Sequence, residues 1–222
     1  MRRRYFIKKV ILFSLSLVIL KTKIMANSLF KPFNLVNGIF VNNYVSHKSS
    51  FKDFWRWRRE SSRPEPIVFP VVENDPEYLK SNKSEKTITW IGHSTFLLQI
   101  NGINILTDPH FTKRASPLSF MGPSRTTPPG LKIEELPFID FVLISHNHYD
   151  HLDSKTIQLL LKKQNVNQPT FFVPLKLKDI ISKLGVNNVV EHEWWQMTHF
   201  KNLEIHSVPV QHWSKRTFND TN

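Results

Sequence analysis

Cysteine is absent from this 222-residue chain, which excludes disulfides and any thiolate-bound metal. A metal site here must be built from imidazole and oxygen ligands. No apolar run reaches the ~20 residues that a bilayer-spanning helix needs. The stretch Val10 to Leu20 is apolar apart from Ser14 and Ser16 and has only 11 residues. Acidic residues are scarce in one region: residues 1–66 carry 14 Lys and Arg against 3 Asp and Glu, whereas residues 67–222 carry 16 against 15. Nearly all of the net charge of +12 therefore sits at the N-terminal end. The wide basic surface of a nucleic-acid enzyme is missing, so no nucleic-acid partner is expected. The length and the 40% apolar composition allow one domain with a sizeable core.

Arg2-Arg3-Arg4 and Lys8-Lys9 precede the apolar stretch, and Lys21 and Lys23 follow it. Residues 1–26 thus read as a signal peptide, with Ala26 a weak cleavage site, or as an interfacial anchor whose lysines reach anionic headgroups. A start at Met25 would remove the segment altogether. Residues 27–86 are rich in Asn, Ser, Lys and Pro, and Pro64, Pro66, Pro70 and Pro76 work against long helices. They are expected to form an irregular basic arm. Its Trp55-Arg56-Trp57-Arg58-Arg59 interleaves aromatics with cations, which suits either a membrane interface or packing on the following domain.

From Thr87 the pattern changes. Thr95–Ile100 and Ile103–Thr107 read as strands joined by Asn101-Gly102, the strongest two-residue hairpin signal. Phe141 to Ile144 is a continuous apolar run suited to a strand buried on both faces. Directly after it comes His146-Asn147-His148-Tyr149-Asp150-His151, four ligand-type residues within six. His146 and His148 are two apart, so in an extended segment both imidazoles project to one side and can close on one ion. Asp150 and His151 lie where the chain turns into a helix expected from Asp153-Ser154, and can address a neighbouring ion. Imidazole with carboxylate suits zinc, and also manganese or iron.

Asp108 follows the second hairpin strand and reads either as a carboxylate that orients a ligating imidazole or as a cap on the turn at Pro109. His93 and His110 flank the same hairpin and read as supporting or structural. Residues 111–137 hold Arg114, Arg125 and five prolines, and read as a loop over the site in which either arginine could meet a phosphate. Thr170–Val173 reads as a strand. Leu177, Ile180, Ile181 and Leu184 fall at helical spacing before Gly185. Leu203–Val208 alternates and leads towards His212. His192, His199 and His206 are not expected to ligate.

The His-x-His-x-Asp-His run resembles the signature of the metallo-β-lactamase superfamily. Thr89–Thr95, Thr107-Asp108-Pro109, Arg114–Pro117, Gly122-Pro123 and Pro209–Thr217 resemble its N-acyl-phosphatidylethanolamine-hydrolysing phospholipase D branch. The resemblance implies an α/β fold, the αββα sandwich of two similar halves. It also implies a zinc phosphodiesterase that releases phosphatidic acid and N-acylethanolamine at a membrane surface. His146, His148 and His212 would hold the first zinc, and Asp150 and His151 would hold the second, with Asp150 the catalytic carboxylate.

The family's bridging aspartate and last histidine lie well beyond the Gln-His-Trp motif, whereas Asn222 is ten residues past His212. The resemblance thus leads us to expect an incomplete hydrolase domain over 87–222, with most of the second half missing and one of two zinc ions held. Three readings follow. The chain is a membrane-associated phosphodiesterase, exported or anchored by residues 1–26, acting on a phospholipid and forming a homo-oligomer. It is a non-catalytic remnant binding at most one zinc. Or it is another hydrolase of the same fold.

Overall fold

The structure is a computed structural model that describes residues 35, 36, 38–42, 50–61 and 70–216. The expected leader, 1–26, lies outside the described residues. The chain divides into two compact units, one made of residues 1–46 with 194–211 and the other of 47–193 with 212–222. In the first, β1 (Leu35–Val36) pairs antiparallel with β2 (Ile39–Phe40).

The second unit opens with α1 (Phe51–Glu60) and α2 (Pro76–Ser81). Both fall in the arm expected to be irregular, and that expectation is corrected here. No proline lies between Pro32 and Pro64, so nothing breaks α1, and a capping box closes its start: Asp53 N donates to Ser50 Oγ and Ser50 N to the Asp53 carboxylate. Pro76 begins α2, where a missing N–H costs no helix bond, and Asp75 accepts from Glu77 N and Tyr78 N. No helix among the described residues is long and apolar enough to cross a membrane.

The rest of this unit is built on one sheet of six strands in chain order: β3 (Thr87–Gly92), β4 (Thr95–Ile100), β5 (Ile103–Thr107), β6 (Phe141–Leu143), β7 (Thr170–Pro174) and β8 (Val189–His192). The first three form an antiparallel meander, and β5 to β8 run parallel. The β4–β5 strand bounds agree with the sequence reading. Asn101 and Gly102 both take positive φ, 53° and 75°, as a twist-matched two-residue turn requires.

Parallel neighbours need crossovers, and α3 (Ser154–Lys163) and α4 (Lys178–Ser182) supply those into β7 and β8. Asp153 caps α3 as expected, accepting from Lys155 N and Thr156 N. Right-handed crossovers advancing in one direction put both helices on the same sheet face. There Ile157, Leu160, Leu161 and Ile181 join Leu97, Leu106, Val142, Phe171 and Val173 in one core. The opposite face buries Ile103, Ile105, Phe141 and Phe172, the two phenyl rings meeting edge to face at 5.5 Å. β6 is thus covered on both sides, as its unbroken apolar run required. In the first unit, β9 (Met197–Phe200) and β10 (Leu203–His206) form a second antiparallel hairpin.

Phe171→Ala should destabilise the chain by about 3–5 kcal/mol, because the phenyl ring is fully enclosed. Exposed Val166→Ala should leave stability within about 0.5 kcal/mol of the parent. Urea unfolding followed by tryptophan fluorescence checks both.

Candidate metal centre

Strand direction decides where the polar side chains meet. β3 and β5 each run antiparallel to β4, and β6 runs parallel to β5, so the C-terminal ends of β3, β5 and β6 open at one edge of the sheet. His93 follows β3, Asp108 follows β5, and Ser145 to His151 follow β6. Open α/β sheets offer their binding crevice at such an edge. His93 and Asp108 hold positive φ values of 51° and 36° without being glycine, a strain that surrounding structure must impose.

The Asp108 carboxylate, 6% exposed, organises the group. Its Oδ1 accepts from Ser145 N at 2.7 Å, and its Oδ2 accepts from Ser145 Oγ at 2.7 Å. The same Oδ2 lies 2.8 Å from His151 Nδ1. A carboxylate only accepts, so the His151 proton sits on Nδ1 and leaves Nε2 with its lone pair. Ser145 Oγ has already given its hydrogen to Asp108, so it accepts from His146 Nδ1, 2.9 Å away. His146 Nε2 is likewise left as a lone pair. One carboxylate and one hydroxyl therefore set the tautomers of two imidazoles.

Those lone pairs point into two clusters. His146 Nε2 lies 2.8 Å from His148 Nδ1 and 3.1 Å from His212 Nε2. His93 Nε2 lies 2.9 Å from Asp150 Oδ2 and 3.3 Å from His151 Nε2, and His151 Nε2 is 3.6 Å from the same Asp150 oxygen. The rings of His146 and His151 are 4.0 Å apart, so the clusters stand side by side.

Burial and then the neighbouring charges of His151, His148 and His212 push the His146 pKa down to about 4. Burial, followed by the charge of His212, lowers His148 as well. For His151 burial works downward, but the hydrogen bond and charge of Asp108, with the charge of Asp150, raise it. Burial would raise Asp150, yet a backbone hydrogen bond and the charges of His151, His93 and His148 hold it below the ordinary carboxylate range. His148 Nε2 is buried with no hydrogen-bond partner among the described residues, and its ring stands 4.4 Å from that of Trp213. That leaves Nδ1 as the working nitrogen. Three imidazoles converging ring nitrogens on one point fit a divalent cation better than they fit one another.

The ligand-bearing turn is held from the far end of the chain. Arg216 Nη1 donates to Asn147 O at 3.0 Å and Leu152 O at 2.7 Å, and Nη2 donates to Ser154 Oγ at 2.9 Å. The guanidinium carbon stacks 4.1 Å over Tyr149, whose hydroxyl donates to Arg216 O. Ser214 Oγ donates to Asn147 Oδ1. These bonds fix the chain just after His212 to the turn bearing His146 and His148.

A family profile described as beta-lactamase superfamily domain matches residues 103–222, more than half of the chain. The chain belongs to the beta-lactamase superfamily.

Among superfamily relatives, it is 40% identical over 144 residues to a Caenorhabditis elegans protein named N-acyl-phosphatidylethanolamine-hydrolyzing phospholipase D 1, covering 60% of this chain and 40% of that one. A mitochondrial protein of that name from Saccharomyces cerevisiae is 38% identical over 138 residues, covering 60% and 29%. An uncharacterized Mycobacterium tuberculosis protein is 37% identical over 161 residues, covering 72% and 42%. The chain thus matches about two fifths or less of the length of these relatives. Among solved structures, a possible metal-dependent hydrolase from Veillonella parvula aligns with a TM-score of 0.44 at 20% identity, over 53% of this chain and 45% of that one.

Within this superfamily framework, all five residues assigned as ligands from sequence fall in the two clusters: His146, His148 and His212 in one, Asp150 and His151 in the other. Asp108 holds His151 and Ser145, the orienting alternative rather than the turn cap. His93, expected to be supporting or structural, instead completes the second cluster. Arg114 is spent on its own loop, donating to Gly122 O at 2.6 Å, whereas Arg125 lines the cavity beside the clusters. His192 is buried against Phe172, and His206 pairs with Glu204 within its own hairpin. Ser145 and Arg216 were missed. The position of Ser145 next to the signature is the available signal for it, and Arg216 stands inside the Pro209–Thr217 match without a role assigned by it.

Arg216→Ala should strand two carbonyls and cost about 1–3 kcal/mol in urea unfolding, with Arg216→Lys recovering less than half of it. The second expectation concerns pH. Below 6.5 the unfolded chain protonates His146 while the folded chain resists until about 4, so metal-free protein loses stability as pH falls through that window. His146→Gln should flatten this part of a melting-temperature profile taken in chelator.

Proposed function

We propose that this chain carries the zinc site of a phosphodiesterase that hydrolyses N-acyl-phosphatidylethanolamine to phosphatidic acid and N-acylethanolamine at a membrane surface. The observation carrying the reading is the convergence of His146 Nε2, His148 Nδ1 and His212 Nε2 beside the cluster of His93, Asp150 and His151. The likeness to two proteins bearing that activity in their names supports the substrate. His146, His148 and His212 would hold one ion. His93, Asp150 and His151 offer three ligand-type side chains for another, where the sequence alone had suggested two ligands and a single zinc for the whole chain. Bound there, a divalent ion supplies a Lewis acid that acidifies water and offsets charge on phosphoryl oxygens.

The protein's own part is to keep the donors aimed. Asp108 holds the His151 proton on Nδ1 directly and that of His146 through Ser145, so that neither ring turns a proton towards the cluster. The cavity of about 780 Å³ beside the clusters is walled by Val71, Val72, Trp90, Ile91 and Trp213, which suit a lipid body. Phe51, Trp55 and Trp57 of α1 are exposed on the helix that also carries Arg56, Arg58 and Arg59, a composition suited to the headgroup layer.

Zinc titration against a chelating chromophore should show a tight ion, weakened at least 100-fold by His146→Ala, and a weaker ion lost in Asp150→Ala. The zinc-loaded chain should release N-acylethanolamine from N-acyl-phosphatidylethanolamine vesicles, and chelator or His146→Ala should abolish release. Tight zinc binding without release would overturn the substrate and leave the metal assignment standing.

A further inference from the structure

Three buried side-chain nitrogens lack a hydrogen-bond partner among the described residues: His110 Nε2, Arg125 Nε and His148 Nε2. All three residues line the one cavity beside the metal clusters. Buried nitrogens are seldom left without a partner, and grouping of the exceptions in one wall points to something that enters there. The orphan of His148 is Nε2, the nitrogen turned away from the cluster that Nδ1 faces, so a ligand role at Nδ1 explains none of the three.

Arg125 is a half-buried cation without an ion pair among the described residues. The charge of Asp153 acts on it from a distance, but no hydrogen bond joins them, because the Asp153 oxygens cap α3 and accept from Thr112 N and Thr156 Oγ1. The guanidinium is nevertheless fixed in place. Arg125 N donates to Lys113 O at 2.9 Å, and Nη2 donates to His110 O. His110 is only 4% exposed and is itself held by Thr95 Oγ1, which accepts from its backbone N–H. On the other side lies Gly92, with φ 142°, where a Cβ would come within 3.0 Å of Arg125 Nη1. Glycine there leaves the room that the guanidinium fills. Holding a cation against an apolar wall with its Nε unpaired and its Nη2 on a carbonyl alone is costly unless an anion completes it.

We propose that Arg125, backed by His110, is the substrate-binding residue that receives an oxyanion of the phosphoryl class in this cavity, with the ligand's apolar body lying along Trp90 and Trp213. The phosphoryl identity rests on the phosphodiesterase reading. The anion subsite itself rests on the geometry above. A planar guanidinium can offer two parallel N–H groups to two phosphoryl oxygens, a match that lysine cannot reproduce.

The test is equilibrium binding of dibutyl phosphate, an anionic diester, to the whole chain in chelator, read by quenching of tryptophan fluorescence, with neutral tributyl phosphate in parallel. The diester should bind saturably, Arg125→Met should weaken it about tenfold or more, and the triester should change by less than about twofold. Arg125→Lys should weaken the diester about threefold or more while leaving the triester unchanged, which keeps the result readable if the methionine variant does not fold. Equal diester affinity in the parent and in either folded variant overturns the proposal. Hexanoate binding more tightly than dibutyl phosphate overturns the phosphoryl assignment. Because no turnover is measured, failure of the phosphodiesterase reading would appear as diester binding without N-acylethanolamine release, a different result from loss of the subsite.

Discussion

Asp108 stands at the end of β5, where its carboxylate bridges to the segment leaving β6, and the geometry of both metal clusters depends on that bridge. Its backbone N–H donates to Leu143 O, its carbonyl accepts from Thr95 Oγ1, and its side chain takes Ser145 and His151. A charge this well buried is tolerable only when hydrogen bonds replace its water, and here every replacement is also a constraint on the site. The bonds to Ser145 stop the chain from relaxing after the strand. The bond to His151 and the relay through Ser145 to His146 select the tautomer in each cluster. Without that selection either ring could turn an N–H towards the convergence point, and the two clusters would become a mutually satisfied hydrogen-bond network with no affinity for a cation.

A site of this kind works against folding. Imidazole nitrogens are packed within 3.1 Å, burial and neighbouring charge push the His146 pKa down, and His93 and Asp108 occupy unfavourable backbone conformations. The parallel half of the sheet supplies the offset. Phe141, Val142, Phe171 and Val173 are buried immediately before the polar edge, so the ends of the strands cannot spread to relieve the crowding. Arg216 acts from the other side, since its bonds to Asn147 and Leu152 tie down the carbonyls of the signature turn. Rigid strands below and a guanidinium clamp beside the turn leave the histidines little choice but to face one another.

Features encoded locally were legible before any coordinates. The β4–β5 hairpin followed from Asn101-Gly102, the doubly buried β6 from its unbroken apolar run, and α3 from Asp153. Five of the six clustered side chains followed from a signature packed into six residues and from the resemblance that supplied His212. What escaped was set by strand direction. His93 is 53 residues from His146 in sequence and joins the site only because β3 and β6 run the same way in the sheet. Arg114 and Arg125 looked equivalent as a pair of loop cations. Only the fold shows that one ends on a carbonyl of its own loop while the other lies over Gly92. The helix α1 is hidden for the opposite reason: Pro64, Pro66, Pro70 and Pro76 all follow it, and the stretch from Pro32 to Pro64 that contains it is free of proline.

The long segment between β5 and β6 has little regular structure, yet it forms a fixed wall of the cavity. Ala115 N donates to Pro123 O and Arg125 N to Lys113 O, a short ladder that folds the segment back on itself. Beyond it Gly130 N donates to Ile91 O on β3, and Asn74 Nδ2 donates to Gly130 O. Arg125 therefore sits between two anchored points, and its position is inherited from the sheet through the segment's own backbone bonds. Prolines suit such a segment because they lower the entropy lost on ordering it, at positions where no N–H is needed. A wall assembled in this way meets its ligand already shaped, so discrimination between charged and neutral ligands can be a property of one tethered guanidinium and not of a loop that must close.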